Sequence, residues 1–177
     1  MRRIAFVLAA LGAVGASSAG IAVAASGGGP IVRTPERNIV IPNALFASTL
    51  RFEPGVVTVK SGGTITFVNS QKDEPHTATI VKQSELPRTP DQVENCKSCR
   101  LALAHLKDPR HPETSPVKTY VVNRGQPGFD ARGDSVFITP GGPHKRAVVT
   151  VSAPAGTTLY YVCAIHPWMQ GSITVTG

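Results

Sequence analysis

At 177 residues the chain is long enough for one domain with its own core, and nothing in it signals a second. Its formal charge of +7 arises from 18 Lys and Arg against 11 Asp and Glu, spread without basic runs, which excludes a nucleic-acid binder. The excess either biases encounter with an acidic partner protein, an effect that salt screens, or only aids solubility.

Arg2 and Arg3 precede an apolar stretch from Ile4 to Val14, and small residues then lead to Ala22-Val23-Ala24-Ala25. A charged start, an apolar middle and an Ala-x-Ala site read as a secretory signal over residues 1–25, cut after Ala24 or Ala25. The protein is then periplasmic or extracellular. The rival is an uncleaved anchor, because no charge falls between Arg3 and Arg33, and only that form would touch a membrane. Residues 26–37 read as a flexible lead, and residues 38–177 as the domain.

Val57 and Val59, then Ile65 and Phe67, alternate with Thr and Lys across a Ser61-Gly62-Gly63 turn, the pattern of half-buried strands. His76, Ala78 and Ile80 share one face of the next strand, which points an imidazole inward at the strand's start. Residues 83–128 break the pattern, being rich in Pro, charge and His. Within them Thr89 is a helix cap, Pro90 suits the first turn and Gln92 completes a capping box. Val93, Cys96, Cys99, Leu103 and Leu106 recur at helical spacing, so a short amphipathic helix is expected over about 90–107, laid on the sheet by its apolar stripe. Strands resume at Val136–Thr139, Ala147–Val151, Leu159–Cys163 and Ser172–Thr176. Short strands punctuated by turns predict an all-β antiparallel sandwich with one mainly helical insertion.

The chemistry lies at the end. Tyr161-Val162-Cys163-Ala164-Ile165-His166-Pro167-Trp168-Met169 sets a thiol, an imidazole and a thioether two residues apart, and Leu159, Tyr161 and Cys163 share a face. With His76 these make two His, one Cys and one Met, the ligand set of a blue-copper electron-transfer site. Soft sulfur holds Cu(I) while imidazole suits both oxidation states, so one copper ion can cycle in a fixed site. Singly, each residue is as easily a core filler; the four in this order, on inward strand ends, are not. Zinc gains little from a thioether.

With these residues the chain resembles the cupredoxins, in particular those with an amicyanin-like short ligand loop, over roughly residues 38–80 and 129–177. The resemblance implies a Greek-key β-sandwich, with His76 and His166 binding copper through imidazole nitrogen, Cys163 through thiolate and Met169 at long axial distance. It implies that the Thr77 N–H donates to the Cys163 sulfur. Many relatives have Asn after the first His, so bracing of the two ligand loops by the Thr77 side chain is open. It also implies that the His166 edge reaches an apolar patch, here including Pro167 and Trp168, that docks a redox partner; alternatively Trp168 plugs the loop.

Val162 and Ala164 flank Cys163 where a multicopper oxidase would place His, and no His-x-His occurs. A monomeric electron carrier is therefore expected rather than an enzyme. The competing function is copper storage, delivery or resistance, against which stand the single site and only Met1 and Met169 in the chain. Three Cys partition naturally as one pair and one ligand. Cys96 and Cys99 form a disulfide, a second metal site with His105 or His111, or free thiols; Arg100 after Cys99 argues against haem. His144 reads as a turn histidine.

Overall fold

The computed structural model describes residues 28–108, 110–111 and 114–177; the signal expected over residues 1–25 lies outside them. The described chain is mainly β. A three-stranded sheet takes the order β1 (Ile31–Arg33), β5 (Thr64–Val68), β9 (Arg146–Thr150). A six-stranded sheet takes the order β4 (Val56–Lys60), β11 (Gln170–Thr176), β10 (Thr158–Val162), β6 (His76–Val81), β8 (Ser135–Ile138), β7 (Val121–Val122). β2 (Asn38–Ile41) and β3 (Leu45–Ser48) form a separate hairpin.

The alternation read in the sequence explains the layers. Ile65 and Phe67 of β5, Ala78 and Ile80 of β6, and Ile173 and Val175 of β11 enter one buried cluster, while Thr174 faces solvent. Four rings fill its centre: Phe67 and Phe52 meet Tyr161 edge-on at centroid distances of 5.4 and 4.9 Å, and Phe129 tilts against Phe67. Such pairs add about 1 kcal/mol each beyond area burial. Gly171 is required beside them, because a Cβ there would run into the Tyr161 ring and the Gly55 carbonyl.

Two expectations change. Residues 31–33, expected in a flexible lead, form β1, whose Val32 is fully buried and which pairs parallel to β5; three residues carry too little periodicity to announce a strand. The sheets are not wholly antiparallel, since β4 also runs parallel to β11. The strands on either side of the Ser61-Gly62-Gly63 turn do not pair; β4 enters one sheet and β5 the other.

The insertion is helical in two pieces, α1 (Pro90–Glu94) and α2 (Lys97–Leu106), and its end supplies edge strand β7. Thr89 caps α1 by accepting the Gln92 N–H, but Gln92 Oε1 accepts from the Arg88 N–H, so the capping box closes one residue early. The single expected helix breaks because Cys96 is extended and caps α2. Cys96 and Cys99 form a disulfide, with Cα atoms 5.2 Å apart. Together with Ala102 they pack on Val81, Val162 and Ala164, covering the outer face of β6 and β10. Every residue of β6 is therefore buried, on both faces. His105 and His111 are exposed, and His144 stacks flat on Tyr120 at 3.4 Å. Among the described residues no helix is long and apolar enough to cross a membrane.

Candidate metal centre

His76 opens β6, Cys163 follows β10 directly, and Met169 immediately precedes β11. Two backbone bonds fold the intervening loop back on itself. Cys163 N–H donates to the Met169 carbonyl at 2.9 Å, and Met169 N–H donates to the His166 carbonyl at 2.8 Å. Gln170 then ties the loop to the insertion, its Nε2 donating to the Pro87 carbonyl at 2.6 Å and the Pro167 carbonyl at 3.1 Å. Cys163 and Met169 are fully buried in the main core.

Three donor atoms converge. His76 Nδ1 lies 3.1 Å from His166 Nδ1, and Cys163 Sγ lies 3.9 and 3.8 Å from those nitrogens. These separations leave a point about 2 Å from all three atoms, the length of a metal–ligand bond. Two imidazole nitrogens that face each other this closely share at most one proton, and a cation between them removes the conflict of lone pairs. The residues fit a metal ion. His76, Cys163 and His166 are the metal-capable cluster found among the described residues.

The protonation states agree. Burial, with His166 beside it, pulls His76 down to about 4. Burial also lowers His166, with Glu74 working in the opposite direction. Both rings are thus neutral near pH 7, the form that ligates metal. Burial raises the Cys163 thiol, while N–H groups of Thr77, His166 and Ile165 and the Thr77 side chain favour the thiolate. A metal ion bound here would displace the thiol proton.

Thr77 reaches across to the ligand loop twice. Its N–H lies 3.4 Å from Cys163 Sγ, and its hydroxyl accepts the Ala164 N–H at 2.7 Å. The bracing left open in the sequence is present, carried by a hydroxyl. Behind it the Thr79 and Ser135 hydroxyls share a hydrogen bond of 2.6 Å beneath α2. Sequence reasoning missed Glu74, whose Oε2 accepts from His166 Nε2 at 2.9 Å; its one signal is an acidic residue two positions before His76. Of the expected docking pair, Trp168 is 45% exposed, with its ring edge-on to His166 at 5.3 Å. Pro167 is buried and offers its carbonyl to Gln170, so it shapes the loop rather than the surface.

No family model and no curated protein matches this sequence. Solved structures do match over most of the chain. A purple cupredoxin from Nitrosopumilus maritimus is 15% identical, with 83% of this chain and 99% of that one covered at a TM-score of 0.42. Auracyanin from Roseiflexus castenholzii is 18% identical over 84% of this chain and 96% of that one, at 0.43. Auracyanin A from Chloroflexus aurantiacus, described as a "blue" copper protein, is 18% identical over 84% and 100%, at 0.44. At such identities and scores the chemistry is read from the side chains themselves.

Proposed function

We propose that this chain is an exported, cupredoxin-like protein that holds one copper ion and carries single electrons between redox partners. The convergence of His76 Nδ1, His166 Nδ1 and Cys163 Sγ at 3.1–3.9 Å carries the reading. In this reading His76, His166 and Cys163 would hold the ion, and Met169, buried at the loop's end, would add a weak thioether donor. Bound copper supplies a one-electron couple; the chain's own residues keep the site unchanged between the two states. The Met169 and His166 backbone bonds close the loop, Thr77 braces it against β6, and α2 keeps water from the outer face of β10. The ring of His166 lies beside the exposed Trp168, which offers a partner an aromatic contact at low entropy cost. Export is supported by the Cys96–Cys99 disulfide, which persists in oxidising compartments.

The test is copper loading. One equivalent of Cu(II) should give an intense visible band that one electron bleaches reversibly, with fast self-exchange by NMR line broadening. Cys163→Ser should remove the band and leave the fold intact. A band of full strength in that variant defeats the site, and a bleachable band without self-exchange turns the reading to copper storage or delivery.

A further inference from the structure

His166 is the most exposed of the three convergent ligands, yet only 12% of its side chain is open to solvent. The outer nitrogen is closed by Glu74, whose Oε2 lies 2.9 Å from Nε2. Nδ1 of the same ring points at His76 and Cys163. A neutral imidazole carries one proton. A carboxylate at Nε2 accepts that proton's hydrogen bond, so the proton stays there and the lone pair stays on Nδ1, toward the metal position.

Glu74 is itself held. Asn69, fully buried, donates from Nδ2 to the Glu74 carbonyl at 2.8 Å, while its Oδ1 accepts from the Gln71 N–H at 2.8 Å and the Thr34 hydroxyl at 3.2 Å. The loop from β5 to β6 is thus pinned at the Glu74 backbone by a fully buried side chain. On the far side Trp168 bounds the ring. The carboxylate is half-exposed, so solvent weakens its field without removing it.

We infer that Glu74 is a positioning residue for His166. It fixes the Nδ1-coordinating form of the ring before metal arrives and, through the same bond, favours Cu(II) over Cu(I). The second effect rests on the copper reading above; the first does not. A carboxylate partner makes an imidazole ligand more basic, and a nearby negative charge stabilises the more positive ion.

Glu74→Gln and Glu74→Ala separate the two effects, and at a half-exposed position both should melt close to wild type. In copper-free protein, long-range ¹⁵N–¹H correlation of the histidine rings should show His166 protonated at Nε2 in wild type and Glu74→Gln, whose amide oxygen still accepts. Glu74→Ala should show a mixture of the two ring forms. In copper-loaded protein both variants should lose Cu(II) affinity relative to Cu(I), by up to about tenfold, which for one electron is a rise of about 59 mV. An unchanged ring form in Glu74→Ala overturns the positioning role. An unchanged potential in both variants overturns the electrostatic one. Should wild type bind no copper, the ring-form experiment still decides the first role, while the carrier reading falls separately.

Discussion

The two faces of β6 are built on different principles. Toward the core, Ala78 and Ile80 sit among apolar side chains, and the His76 imidazole enters at the strand's start. The buried His76 Nε2 has no protein partner among the described residues, which leaves Nδ1 as the ring's one engaged atom. Toward α2, Thr77 and Thr79 face a layer that holds a disulfide and small apolar residues, and their hydroxyls are bound to Ala164 and Ser135. One face supplies ligands; the other fixes where the ligands stand. The Ala164 N–H is tied to β6 from the layer behind the cluster.

The sharpest way to break this contrast is acid. His76 has a folded value of about 4 against an ordinary 6.5. Between those values the unfolded chain binds a proton that the folded chain refuses, so stability rises with pH across the window. Copper-free protein should be fully stabilised above about pH 6.5 and lose up to about 3 kcal/mol as pH falls toward 4. Urea midpoints at stepped pH measure it. His76→Gln should flatten the dependence, and an equal slope in that variant would assign it elsewhere.

The outer face is tested next. Thr77→Val keeps shape and strand propensity but strands the Ala164 N–H, a buried donor whose loss of partner costs about 1–3 kcal/mol. The copper-loaded variant should also show a displaced visible band, because the sulfur loses the neighbouring hydroxyl. Thr77→Ser should restore both. If the serine variant behaves like the valine one, the hydroxyl by itself does not hold the loop.

The smallest effect should come from the clip behind the site. The disulfide closes a loop of sequence separation 3, for which chain entropy gives about 2 kcal/mol at most. Replacing both Cys96 and Cys99 with Ala should cost about 1–2 kcal/mol in denaturation and shift the band less than Thr77→Val does. A larger spectral change would mean that α2 controls the centre directly.

The residues of the convergent cluster were legible before any coordinates, because Cys163 and His166 stand two residues apart in a loop whose residue types are rarely combined. The inward face of His76 was legible too, since alternation with Ala78 and Ile80 fixes direction. Thr77 was half legible: its backbone role follows from its position, but its hydroxyl bond depends on how near Ala164 comes. Glu74 was not legible. A carboxylate before a strand is ordinary, and only the closure of a distant loop brings His166 onto it.

Local periodicity therefore determined the strands, the inward ligands and the presence of a helical insertion, because those depend on neighbours two to four positions apart. Tertiary structure alone decided the rest. It put β4 and β5 in different sheets and made an edge strand of residues 31–33, with Val32 in the core. It also turned two threonines from a solvent face into a buried brace and set a carboxylate on the outer nitrogen of His166. Each of these rests on contacts between segments far apart in the chain, whose energies no short window of sequence contains.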